Sequence, residues 1–413
     1  MQQALILVIL TIAIVFLALT LAIVIGKGVR EVREAGRRRR RTKLEPLILG
    51  YAHAETGSIL PALGGGVARA DRPVVEAILL DHVQRVRGVE RDRLGKALDD
   101  LGFVESYLAG LSSPRWWTRA RAAEHLGLAR SKRATPRLLR ALEDDAYDVR
   151  LRAAKALAAA GGQAAVAPLA KALSEPNRFS TIRIADILAG MGRPVVRELM
   201  DTFPHLSRHG KLAALDILGR IHPPEAVAWL HDRLREPHRD LRARAAHALG
   251  AIGAPASAGV LRDALDDPEW AVRAMAAKGL GRLHDDGAIP KLCAALRDPE
   301  WWVRANAGEA LRRIGPVGIG ALERMLDDED RYARDQACLV LESAGVLERR
   351  VAELTSPGPV REEAVALVQR FIGAGHTARL CELAATHRDP SVRETLAHLL
   401  PLERAREEVA GRA

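Results

Sequence analysis

Apolar positions recur along this chain with two periods at once. Within short stretches they sit three and four residues apart, as in Val303, Ala307, Leu311 and Ile314, which is the stripe of an amphipathic helix. Over longer distances the same stripe returns about every 31 residues, the scale of a helix-pair repeat. Arg119, Arg150, Arg242, Arg273, Arg304 and Arg334 mark the register, with Thr181 and Lys211 at its two missing steps. Seven residues after each of these positions stands a leucine, from Leu126 and Leu157 through Leu280 to Leu341. Eight residues before them stand Leu111, Leu142, Leu173, Phe203, Leu234, Leu265, Leu296 and Leu326.

Each period predicts a helix, a turn and a second helix. In Asp298–Met325, Asp298 suits a cap and Pro299 a first turn, while Gly315-Pro316 ends the first helix. Ile319, Leu322 and Leu326 line the second helix. Paired small residues such as Ala122-Ala123, Ala245-Ala246 and Ala276-Ala277 follow the register by three and four, so that stacked first helices can approach closely. No stretch alternates as a strand would. The expected fold is all-α, an α-solenoid whose units bury their apolar faces only against their neighbours.

The run D-P-x-x-x-V-R-x-x-A-A-x-x-L-G, clearest at Asp267–Gly281 and Asp298–Leu311, resembles the HEAT-like repeats of the phycobilisome-lyase type. The resemblance covers residues 114–345 well and 346–413 loosely, where divergent repeats and a polar cap (Glu403–Glu408) are expected. It implies right-handed stacking of helix pairs with the second helices on a concave face. Thr181 and Lys211 depart from the motif, so the arginine ladder is expected to change there. Function does not follow from this resemblance, because such solenoids host adaptors, enzymes and nucleic-acid binders.

The amino-terminal part is different. Ala4–Ile25 is apolar except for Thr11 and Thr20, about the ~20 residues that cross a bilayer core, so residues 1–26 read as a transmembrane anchor. A signal peptide fits less well, for want of a basic leading region and a small-residue cleavage site. Residues 27–43 follow as a basic juxtamembrane segment, with nine Lys and Arg against Glu31 and Glu34. The positive-inside rule then puts the amino terminus outside and the rest in the cytoplasm, on the inner membrane of a bacterial cell. Arg37, Arg38, Arg39, Arg40, Arg41 and Lys43 are candidate contacts for anionic lipid headgroups. Residues 44–113 fit the period poorly and are expected to cap the array through helices at Leu44–His53, Val74–Val86 and Leu94–Leu108.

Charge changes the picture once it is divided. The chain carries a net charge of +10, and residues 27–43 account for most of it. The body is nearly balanced, which weakens a nucleic-acid reading. Cys293, Cys338 and Cys381 lie far apart with no C-x-x-C, as small buried residues of a reducing compartment. The thirteen histidines form no H-E-x-x-H and no His-Glu pair. No catalytic, cofactor or metal constellation emerges, and the expectation is a non-enzymatic protein without a cofactor.

Two columns remain as candidate sites. The arginines Arg119, Arg150, Arg242, Arg273, Arg304 and Arg334 stand beside turn acids such as Asp144, Asp267, Asp298 and Asp328, and are expected to form a structural ladder. Two and three residues before the arginine register come Trp116, Trp117, Tyr147, Phe179, Trp270, Trp301, Trp302 and Tyr332. Adjacent helical residues point about 100° apart, so one face cannot bury both members of a tryptophan pair. The default expectation is that both wedge between turns of successive units. The alternative is a rim that binds a partner.

Together these features lead to a membrane-anchored scaffold or adaptor for a protein partner, with a membrane-resident enzyme such as a glycosyltransferase, or a transporter, as the partner. A bilin-lyase-like enzyme is the alternative and a nucleic-acid-binding solenoid the second alternative.

Overall fold

The computed structural model of the protein describes residues 2–54, 57–160, 162–175 and 180–400, apart from the side chains of residues 2–15, 18 and 30. Two compact units divide the chain, Met1–Leu169 and Ala170–Ala413. Unit one opens with α1 (Gln2–His53), α2 (Arg72–Arg85), α3 (Gly88–Asp100) and α4 (Phe103–Gly110). It continues with α5 (Trp116–Ala129), α6 (Thr135–Ala141) and α7 (Tyr147–Ala160), and ends inside α8 (Val166–Ala172). Unit two runs through α9 (Thr181–Met191), α10 (Val196–Thr202), α11 (Arg208–Ile221), α12 (Val227–Arg233), α13 (Arg239–Ile252) and α14 (Ala258–Asp263). It is completed by α15 (Trp270–Leu283), α16 (Ile289–Ala295), α17 (Trp301–Ile314), α18 (Pro316–Met325), α19 (Arg331–Ser343), α20 (Val346–Ala352), α21 (Pro359–Gly373), α22 (Ala378–Thr386) and α23 (Pro390–Leu399). Among the described residues there is no strand.

From α5 onwards long first helices alternate with shorter second helices. The leucine column that follows the arginine register is fully buried, as at Leu126, Leu157, Leu218, Leu249, Leu280 and Leu311. A second column faces it from the short helices: Leu138, Leu169, Leu199, Leu230, Leu261, Leu292 and Leu322 are also fully buried. Each such leucine contributes on the order of 2 kcal/mol relative to exposure, so each pair is held mainly by its own small core and its neighbours.

The entry turn differs from the expected cap. The helix begins at Trp301, Glu300 holds the N-cap position without a side-chain bond, and Pro299 lies before the helix. Asp298 instead accepts the backbone N–H of Glu300 at 2.9 Å, folding the turn around its carboxylate. Asp144, Asp267 and Asp328 accept from Ala146, Glu269 and Asp330 in the same way. At the other end α5, α11, α13 and α15 stop in the left-handed region. Gly253 does this without a steric penalty, whereas His222 (φ 55) and His284 (φ 52) do so with a Cβ in place.

Close approach of first helices is made by a different column from the alanine pairs. A Cβ placed on Gly250 would stand 2.5 Å from the Cα of Gly279, and one on Gly281 would stand 2.6 Å from the Cα of Ala310. In unit one the same relation holds between Gly127 and Ala156, at 2.8 Å. These glycines follow the register by eight, and the residues they meet follow it by six.

Two of the amino-terminal elements differ in extent from the expected helices. α1 runs unbroken from the apolar stretch through the basic segment to His53, so no element ends near residue 26 or 43. The helix expected at Leu94–Leu108 is two helices, parted by Gly102 at φ 69. The division between units falls inside the regular repeats rather than before or after them. Among the described residues no helix is long and apolar enough to cross a membrane. Most of Ala4–Ile25 has side chains outside that description, and the charged tail at Glu403–Glu408 lies outside the described residues altogether.

Candidate functional site

Three arginines of the register, Arg119, Arg242 and Arg273, make one and the same joint between successive turns. Nη1 of Arg273 donates to the carbonyls of Asp267 (2.9 Å) and Pro268 (3.0 Å) in the turn before its own helix. Its Nε and Nη2 donate to both carboxylate oxygens of Asp298 in the next turn, at 2.7 and 2.9 Å. Arg242 makes the same four bonds to Glu236, Pro237 and Asp267, and Arg119 makes them to Ser113, Pro114 and Asp144. The Arg273 side chain is 15% exposed and that of Asp298 9%, so each two-pronged pair is nearly out of water. Hydrogen bonding to these carboxylates raises the pKa of all three arginines, and Arg119 lowers that of Asp144. With four of its five N–H groups engaged, such a guanidinium ties successive turns together.

Two members of the register, Arg304 and Arg334, lack the two-pronged pair to the next turn among the described residues. Arg150 and Arg334 make the bonds to their own turns, at Asp144 and Asp145 and at Asp328 and Glu329. Arg304 also bonds its own turn, at Asp298 (2.7 Å) and Pro299 (2.9 Å). The residue at its usual acidic position is Glu329, which is exposed, and the Arg304 guanidinium instead lies 4.5 Å from the centre of the Tyr332 ring. Asp328 is engaged by Arg297, which also holds its carboxyl below the usual range. Where the register has Lys211, the ammonium stands 5.4 Å from the Phe203 ring, and Ser174 Oγ accepts the Ser207 N–H at 2.9 Å. The ladder is therefore altered at its lysine step.

The rim aromatics do not wedge between turns. Trp116, Trp117 and Tyr147 in unit one are exposed, as are Trp270, Trp301, Trp302 and Tyr332 in unit two. Trp301 is 53% and Trp302 56% exposed, and their rings meet edge to face at 4.8 Å. Trp116 and Trp117 meet in the same manner at 6.0 Å. Phe179 lies outside the described residues. Each ring stands in the first turn of a helix whose entry turn is bonded by the arginine of the register.

The basic segment divides as well. Arg40 donates to the Ala70 carbonyl at 2.8 Å, and Arg41 is spent within the fold. Its Nη2 lies 2.9 Å from Glu45 and 2.7 Å from Asp81, and Glu45 also bonds His82 at 2.7 Å. Arg41 is thus not available as a headgroup contact. Arg37, Arg38, Arg39 and Lys43 are exposed and have no ion pair among the described residues. Glu45, Asp81 and His82 are close enough to hold a metal ion, but the Arg41 guanidinium already supplies the cation at that place. Its two bonds and that of His82 bring the Glu45 carboxyl down to about 2.

Other chemistry is sparse. Cys338 is buried, which pushes its thiol up to about 12, while Cys293 and Cys381 are half-buried. His284 sits in its turn with Nδ1 2.6 Å from the Arg313 carbonyl. The sequence pattern did not announce one polar group, where Tyr107 donates to Glu76 at 2.7 Å and meets the His125 ring edge to face at 4.8 Å. Burial lowers the His125 pKa. These residues come from α2, α4 and α5, and the first two lie outside the regular repeat, so no column could have linked them.

Comparison with known proteins places these observations in context. The profile described as HEAT repeats matches residues 104–189, 196–271 and 260–342. None of the curated proteins matches the chain. Among solved structures, CpcE and CpcF of phycocyanin lyase from Nostoc sp. are 21% identical, over 64% of this chain and 92% of that one, with a TM-score of 0.27. Human deoxyhypusine hydroxylase in complex with glycerol is 24% identical, over 68% of this chain and 100% of that one, with a TM-score of 0.26. Kap121p bound to Nup53p is 14% identical, over 90% of this chain and 51% of that one, with a TM-score of 0.42.

Proposed function

We propose, from the premise that this chain belongs to the HEAT-repeat family, that it is a non-enzymatic scaffold holding a protein partner beside a membrane. The observation that carries the reading is the set of exposed aromatics, three in unit one and four in unit two, at two adjacent positions of the repeat. Trp and Tyr are favoured anchors of protein interfaces, and a row of them has no structural task once the turns are joined by arginine and aspartate.

The membrane part of the proposal rests on the apolar stretch Ala4–Ile25, on the basic residues that follow it, and on the continuity of α1 from that stretch to His53. In this reading the helix spans the inner membrane of a bacterial cell with its amino terminus outside. Arg37, Arg38, Arg39 and Lys43 lie against anionic headgroups, and the repeats face the cytoplasm. A partner in the same membrane gains effective concentration from the tether. A glycosyltransferase or a transporter with cytoplasmic segments is the kind of partner proposed.

Crosslinking of the tagged full-length chain in cells, followed by mass spectrometry of membrane extracts, tests the reading. One dominant membrane protein crosslinked to the repeats supports it. Recovery of lipids and self-crosslinks alone would overturn it.

A further inference from the structure

We propose that the rim of unit two binds an extended, arginine-rich protein segment that carries a basic residue at every third position. The inference rests on the scaffold reading and names the chemistry of its partner. Trp270, Trp301, Trp302 and Tyr332 are all exposed, on three successive first helices, α15, α17 and α19. Glu300 and Glu329 stand exposed immediately before or close to these rings, with no ion pair among the described residues. Aromatic faces flanked by unneutralised carboxylates attract cations, and a guanidinium can stack on the ring while it meets the acid.

The fold contains an example of that contact. Arg304 stacks over Tyr332 at 4.5 Å, although Arg273, the member of the register before it, takes a carboxylate instead. The tryptophan pair of unit one is a poorer host for the same ligand, because the residue before it is Arg115 where unit two has Glu300, and that guanidinium stands 5.9 Å from the Trp117 ring.

Spacing sets the form of the segment. Packed helices stand about 8–10 Å apart, and rings at one helical position step along the rim by that distance. A polyproline II strand advances about 3.1 Å per residue with three residues per turn. Every third side chain therefore falls on one face at intervals of about 9 Å, in step with the rings. Contiguous basic residues would point in different directions and reach one ring at most.

The test uses the full chain in non-ionic detergent, titrated calorimetrically with a peptide of four Arg-Pro-Pro units. The control peptide has the same composition with its four arginines contiguous. The spaced peptide is expected to bind at least tenfold more tightly. Trp301→Ala with Trp302→Ala should lower its affinity at least tenfold. Glu300→Gln with Glu329→Gln should weaken it severalfold and flatten its salt dependence, with circular dichroism unchanged. Trp116→Ala with Trp117→Ala should leave it intact. Equal affinity for the two peptides, no loss in the unit-two variants, or preference for a single-stranded oligonucleotide or anionic vesicles would overturn the inference. A crosslinked protein partner without peptide binding would remove this inference and leave the scaffold reading standing. Peptide binding with no protein crosslinked in cells would remove the scaffold reading instead.

Discussion

Arg304 lies over the ring of Tyr332 at 4.5 Å, at the step where Arg273 meets the carboxylate of Asp298. The difference follows from one residue of spacing. Asp298 stands 25 positions after Arg273, whereas the same count from Arg304 reaches Glu329, whose side chain stays in water. One joint is therefore stacked, whereas those of Arg242 and Arg273 before it are two-pronged ion pairs.

That contrast gives unequal costs for similar substitutions. Asp298→Ala strands the Arg273 guanidinium in a nearly dry turn and should destabilise unit two by about 2–3 kcal/mol. Glu329→Ala should change stability by no more than experimental error. Urea midpoints together with hydrogen exchange at the α15–α17 contact would distinguish them. Equal effects would mean that the joints do not carry the stacking.

Gly250→Ala sets helix propensity against packing. Alanine gains about 1 kcal/mol in a helix interior over glycine. The added Cβ would stand 2.5 Å from the Gly279 backbone, and forced displacement in a packed interface costs about 1–3 kcal/mol. The expected outcome is a net loss, read as a lower melting temperature. Stabilisation would show that neighbouring first helices separate at little cost.

Trp301→Ala with Trp302→Ala separates stability from binding. Both rings are more than half exposed, so thermal unfolding should move little. Recovery of the crosslinked partner should fall sharply. A large fall in melting temperature with partner recovery intact would return the rim to a structural role.

Acid should loosen the junction of α1 with α2. Glu45 is held at about 2, below its usual 4.5, first by Arg41 and then by His82, and Arg41 also lowers Asp81. A carboxylate with a depressed folded pKa contributes stability that is complete above about 4.5 and is lost as pH falls through about 2. Glu45→Gln should lower stability near neutral pH and flatten its decline over that window. Hydrogen exchange in α2 as a function of pH is the measurement, and parallel profiles for the two proteins would refute the assignment.

The orientation has a separate check. A reporter fused after Ala413 should be active only in assays that read the cytoplasm. Activity on the outer side would reverse the topology and remove the argument for a membrane-resident partner.

Much of this fold was legible because helix periodicity and the 31-residue register are both local properties of the chain. Leu126, Leu280 and their column could be placed in the core from spacing alone, since a unit that packs only on its neighbours repeats its buried positions. The arginine and aspartate columns were legible for the same reason. What the sequence could not reveal was how neighbouring backbones meet. Alanine pairs and glycines both read as small residues, and only the packed helices show that Gly127, Gly250 and Gly281 are the points of closest approach. Nor could it decide between a buried and an exposed tryptophan pair, because exposure depends on whether the next turn leaves room. Arg41 is a similar case: in sequence it is one of five consecutive arginines, and only the return of α2 beside α1 brings Asp81 within 2.7 Å of it. Periodicity along the chain determined which residues are core, and contact across units decided which surface residues are free to bind.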